Sequence, residues 1–321
     1  MTRTVETQHD DVLSLELPYR DHLRIRRTVF DGHGGGPTVA VVAGIHGDEL
    51  EGLYTCHRLA AWIEALITDH PEALLGRIEL YPALNPLGLD TLERVIPMYE
   101  VDLNRSFPGH PEGMLPHRVA AAVMKNLARA ALVIDLHASN IFLREIPQVR
   151  INQQFADRLL PLAAEMNVDV IWVHGALTVL EATIAHSLNS HDVPCLVVEM
   201  GVGMRVTPAL SEQVIAGILQ SWRNLGVLAP DAPVPPRTHQ PLHADDRNVH
   251  YLNAATSGLF VPEVQHWTAV AQGDRLGQIV SPFEGAVLAE VRSPVDAMLF
   301  TLREYPLVYE GSLMARLVQT Q

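Results

Sequence analysis

Cysteine and lysine are almost missing from this chain, and each scarcity excludes something. Cys56 and Cys195 are the only two cysteines among 321 residues. Two are too few for a disulfide framework or for a thiolate zinc site by themselves. Cys195, inside the apolar run PCLVV, reads as a small buried hydrophobe. Lysine occurs once, at Lys125. Any carboxylate recognition therefore falls to arginine, whose planar fork binds carboxylates through two nitrogens. No apolar run reaches the roughly 18 residues that a membrane span needs. The N-terminus carries early acids and no long apolar stretch, which argues against a secretory signal and makes cytoplasmic residence the expectation. The nucleophile elbow of serine hydrolases and the phosphate-binding P-loop are both missing. The glycine cluster before Thr38 precedes a strand instead of following one, the wrong context for a dinucleotide loop. Positive charge is also short: 37 acidic against 23 basic residues give a net charge of −14, a poor match to nucleic acid.

What is present is ordinary globular material, 48% hydrophobic and 19% charged. A strand pair is expected around Leu13–Phe30, followed by buried strands at Thr38–Gly44, Arg77–Pro86, Ala131–His137, Asp169–His174 and Pro194–Gly201. Helical spacing covers about Glu49–Leu66, His117–Ala130, Leu180–Leu188 and Ser211–Leu225. Strands separated by helices predict an α/β fold with a mixed, largely parallel sheet and helices on both faces. A proline-rich linker, Leu228–Pro241, then leads into short strands and turns, read as a small C-terminal all-β domain. The expected organisation is a catalytic domain over residues 1–235 and a β domain over 242–321.

In open α/β sheets, ligands bind outside the carboxyl ends of the strands. Three strand ends here run into His46 and Glu49, into His137, and into Glu199. Two neutral imidazoles and one carboxylate make a three-ligand zinc site with an open position. The bland alternative has Glu49 opening a helix and His137 satisfied in the core, with Asp48 a first-turn acid. Further on, Asn104 and Arg105 stand side by side, a pair suited to gripping a carboxylate unless Arg105 serves only a local acid such as Asp102. The histidines of His110–His117 are separated by prolines and a glycine that forbid a zinc-protease helix.

GIHGDELEG, NPLG, DLNRSFPG, VIDLH and VVEMG, in this order between Thr38 and about Gly203, resemble the succinylglutamate desuccinylase/aspartoacylase family, distant relatives of the zinc carboxypeptidases. The resemblance implies one Zn2+ per chain on His46, Glu49 and His137, and Glu199 as the general base acting on the attacking water. It implies Asn104 and Arg105 as substrate contacts and Arg94 as the group polarising the scissile carbonyl. The narrower aspartoacylase pattern has that arginine closer to DLNR, where this chain has Pro97; the Arg94 spacing looks like the bacterial predicted-deacylase branch. Arg150 is a second candidate for an anionic substrate, against a surface salt bridge. The implied activity is hydrolysis of the amide of an N-acyl amino acid or related small compound, with a metallocarboxypeptidase acting on short peptides as the alternative. Partners would be a small molecule, with neither nucleic acid nor membrane, and homo-oligomerisation stays open. The C-terminal segment resembles a lipoyl/biotinyl-like β-barrel. It has no lysine to carry a cofactor, which leaves a cover or wall for the active site or an oligomer contact.

Overall fold

The computed structural model describes residues 5–32, 34–175 and 181–320. The strands run β1 (Glu6–Glu16), β2 (His22–Asp31), β3 (Thr38–Val42), β4 (Arg77–Tyr81), β5 (Leu132–His137), β6 (Leu143–Asn152), β7 (Val170–His174) and β8 (Cys195–Gly201). The helices are α1 (Glu51–Asp69), α2 (Pro86–Thr91), α3 (Leu115–Leu127), α4 (Ala156–Ala163), α5 (Ile184–Ser190) and α6 (Pro208–Asn224). The helix expected from Leu180 begins at Ile184, and Leu180 itself lies outside the described residues.

The sheet order is β1-β2-β4-β3-β5-β8-β6. Its centre, β4-β3-β5-β8, is parallel. The sheet as a whole is mixed and less parallel than expected: β2 joins β4 antiparallel, and β6 runs against β8. Successive residues of a strand face opposite sides, so β3 divides its side chains between two cores. Val39 and Val41 pack with α1, α4 and α6, while Ala40 and Val42 pack with α3 and α5. Helices thus cover both faces, which is why these strands read as continuous apolar runs.

The C-terminal strands are β9 (Leu242–Asp245), β10 (Val249–Asn253), β11 (Gly258–Pro262), β12 (Ala269–Val270), β13 (Arg275–Val280), β14 (Val287–Arg292), β15 (Ala297–Arg303), β16 (Leu307–Val308) and β17 (Leu313–Gln319). They are divided between two sheets. β15, β17 and β10 extend the large sheet beyond β6, and β9 pairs with β7. A second sheet, β14-β13-β11-β16, faces them across a shared apolar core that includes Phe260, Leu276, Leu299 and Leu317. Among the described residues no helix is long and apolar enough to cross a membrane.

β6 is an element that sequence patterning did not indicate. It carries Glu145, Gln148 and Arg150 on an interior strand, and Pro147 lacks the N–H that a ladder uses. The register with β8 shifts between Glu145 and Gln148, an irregularity that takes in Pro147, whose carbonyl accepts from Asp169 N at 2.8 Å.

Candidate active site

His46, Glu49 and His137 meet where β3 and β5 end, and all three are buried. The chain leaves β3 through Gly44 at φ +61, a left-handed conformation that favours glycine. A Cβ on Gly47 would lie 2.0 Å from the Gly88 carbonyl carbon, so a side chain there would push the turn away from α2. Glu49 N donates to His46 O at 3.4 Å, closing the turn that turns both side chains inward ahead of α1.

The Glu49 carboxylate is the hub. Oε1 lies 2.6 Å from His46 Nδ1 and accepts from Arg94 Nη1 at 3.1 Å. Oε2 lies 2.9 Å from His137 Nδ1 and accepts from Ala138 N at 3.0 Å. Each imidazole sets its other nitrogen on a second carboxylate: His46 Nε2 on Asp102 at 3.1 Å, His137 Nε2 on Asp135 at 3.0 Å. Carboxylates behind imidazoles orient the rings and leave Nδ1 for an ion. One ligand atom from each of His46, Glu49 and His137 falls within 4.8 Å of the others, so the group could hold a metal ion. Two imidazoles and a carboxylate are a borderline-soft donor set suited to zinc.

The charges agree. Burial alone would lower both histidine pKa values, but Glu49 and Asp102 outweigh it at His46, and Asp135 and Glu49 outweigh it at His137, so both are raised. Burial would raise Glu49 and Asp102, yet the imidazoles, with Arg94 added at Asp102, hold both well below the usual carboxylate range. Acids and imidazoles thus favour each other's charged forms, with Arg94 adding a fixed positive charge at the rim.

The other expected residues gather on the same cavity of about 990 Å3. Glu199 stands directly across the ladder from His137. Burial raises its carboxyl pKa, and Arg150, whose Nη1 lies 3.2 Å from Glu199 Oε1, works in the opposite direction. Arg94 bridges Glu49 and Asp102 at the rim and is partly exposed. Arg105 lines the cavity with its Nη1 donating to the Asn104 carbonyl at 2.7 Å. Asn104 Oδ1 accepts from Ile184 N at 2.9 Å, so that oxygen holds the start of α5. Arg150 is engaged by two carboxylates, Glu199 and Glu145, inside the cavity wall and not at the surface.

Several contributors escaped the sequence reading. Asp135 is two residues before His137 on one strand and therefore on the same face, a period-of-two signal that was there to use. Asp48, expected only as an acid near the start of α1, also lines the cavity with a buried, unpartnered Oδ1. Tyr251 and Arg316 come from β10 and β17, so the C-terminal strands form a wall of this cavity. Lys125 lies away on α3.

Residues 35–225 match the model of the succinylglutamate desuccinylase/aspartoacylase catalytic domain. An N-alpha-acetyl-L-2,4-diaminobutyric acid deacetylase of Halomonas elongata is 34% identical over 115 residues, 36% of this chain and 32% of that protein. The match thus spans about a third of the curated relative's length. The product-bound ectoine utilization protein EutE (DoeB) of Ruegeria pomeroyi superposes over 100% of both chains with a TM-score of 0.82 at 21% identity. A succinylglutamate desuccinylase/aspartoacylase of Rhodobacter sphaeroides does so over 98% of this chain and 95% of its own, with a TM-score of 0.81 at 23% identity. At these identities the structural likeness is one of fold.

Proposed function

This chain belongs to the succinylglutamate desuccinylase/aspartoacylase family, and on that premise we propose that it is a zinc-dependent hydrolase cleaving the amide of a small N-acyl amino acid. The observation that carries the reading is the convergence of His46 Nδ1, Glu49 and His137 Nδ1, with Asp102 and Asp135 holding the far side of each ring. Bound there, zinc would act as a Lewis acid on the acyl carbonyl and make water nucleophilic near neutral pH. In this reading residues 1–235 carry the chemistry, and the strands from residue 242 onward wall the substrate cavity.

The chain's own residues take the remaining roles. Glu199, a half-buried carboxylate with a raised proton affinity, accepts a proton from the attacking water and returns it to the departing amine. Arg94 has two terminal nitrogens on carboxylates at the rim and offers its remaining donors to the developing oxyanion. One such donor is worth about 3 to 4 kcal/mol in the transition state. Arg105 grips the carboxylate of the amino-acid half as a planar fork. Asn104 fixes the loop that carries it.

Purified protein should contain stoichiometric zinc and release free amine from N-acyl amino acids in a chelator-sensitive way. The relative from Halomonas makes N-acetylated diamino acids the first compounds to assay. Turnover of dipeptides in place of N-acyl amino acids would turn the assignment toward a carboxypeptidase. Protein that binds no divalent metal would remove it altogether.

A further inference from the structure

Glu145 is a buried acid, 1% exposed, that the hydrolytic roles leave unused. Its carboxylate accepts from Arg316 Nη1 at 2.7 Å, Gln148 Nε2 at 2.8 Å, Arg150 Nη2 at 3.0 Å and Thr301 Oγ1. Gln148 and Arg150 share β6 with Glu145, whereas Thr301 and Arg316 belong to β15 and β17. The continuous sheet makes this possible, because β15 pairs directly with β6 and sets Thr301 opposite Glu145. Both guanidinium groups also lie against the Trp172 ring, Arg150 at 5.4 Å and Arg316 at 5.5 Å from its centroid, and Arg316 reaches Tyr251 at 5.7 Å.

Two guanidiniums against one carboxylate leave a positive charge over, and Arg150 directs it to Glu199. With Nη2 on Glu145 and Nη1 on Glu199 Oε1, its rigid fork spans both acids. A guanidinium held at one end fixes the position of what it holds at the other. We propose that Arg150 is a positioning residue for Glu199, and that the C-terminal strands set its position through Arg316 and Glu145. The proposal rests on the assignment of Glu199 as base, and it gives the C-terminal strands a part in the rate as well as in the shape of the cavity. Anchoring Oε1 leaves the second oxygen of Glu199 for the proton. A purely structural cluster would tie the strands together without affecting turnover.

The test uses the full, zinc-loaded chain and an N-acyl amino acid that it hydrolyses. Arg316→Met keeps a stem against Trp172 and Tyr251 but removes the cation from Glu145. Its kcat should fall about 5- to 50-fold while KM and zinc content stay within about twofold, since loosening a catalytic group by a fraction of an ångström acts on the transition state. Arg316→Lys, which keeps a cation, should recover most of the rate. Arg150→Ala should fall further and regain activity with added guanidinium, but not with methylammonium at equal ionic strength. Folded, zinc-loaded Arg316→Met with unchanged kcat, or with a loss confined to KM, overturns the proposal; so does an Arg150→Ala deaf to guanidinium. If Arg150→Ala does not fold, the Arg316 pair decides. Glu199→Gln separates the layers: full activity there removes the base assignment and this proposal together. A dead Glu199→Gln beside an unaffected Arg316→Met removes the positioning role alone.

Discussion

Glu49 and Glu145 are both buried carboxylates on one cavity, and they are compensated by different chemistry. Glu49 sits between two imidazoles, whose charge depends on bound protons, with a single guanidinium, Arg94, reaching it from the rim. Glu145 sits between two guanidiniums, which stay charged at every accessible pH. A cation can displace the protons of the first arrangement, and nothing displaces the arginines of the second. Most of the charge facing Glu49 is therefore exchangeable, and that facing Glu145 is permanent. One cavity holds a binding site and a fixed wall built from the same kind of acid.

The sharpest way to break this contrast is at Glu49. Glu49→Gln should lose zinc and hydrolysis together, measured by metal analysis and amine release; retained metal would mean that the imidazoles bind it elsewhere. Glu199→Gln should keep zinc and lose about 10²-fold or more in kcat, as expected for removal of a general base. At the permanent end, Glu145→Gln should cost about 1 to 3 kcal/mol of stability in denaturant unfolding, because it leaves two partly buried guanidiniums without their shared anion. Asp135→Asn should weaken zinc about 10- to 100-fold in a competition titration, the usual cost of losing a carboxylate behind a ligating imidazole.

The smallest effect is on pH. In metal-free protein the folded pKa values of His46 and His137 lie above their ordinary value of 6.5. A raised folded value contributes stability that is fully present below the unfolded pKa and is lost as pH rises through the folded one. Metal-free protein should therefore melt at lower temperature as pH climbs above neutrality, and zinc should flatten that slope, since its binding is favoured by deprotonation. A slope that persists with zinc bound would place its origin outside the histidines.

The His46, Glu49 and His137 cluster was legible because its parts follow buried central strands. TVAVVAG and ALVID announce themselves as continuous apolar runs, and the residue after such a run faces the rim. Asp135 is legible too, by the alternation of a strand that sets it on the same face as His137. The far end was not legible. β6 looks unlike an interior strand, and Glu145 finds Thr301 156 residues away and Arg316 171 residues away. No local pattern encodes a pairing at that separation. Likewise the proline-rich stretch before β9 suggested two bodies, whereas β15 and β9 dock on β6 and β7.

The placement of His46, Glu49, His137 and Glu199 at the ends of strands was thus determined by the sequence itself, because apolar strand runs and glycine turns are local. Where Arg150 points was decided by the tertiary structure. A guanidinium can serve a substrate, a surface acid or a catalytic one, and only the packing of β6 between β8 and β15 surrounds it with Glu199 and Glu145. The role of the C-terminal strands was decided in the same way: sequence left cover, wall or oligomer contact open, and the shared sheet made them a wall.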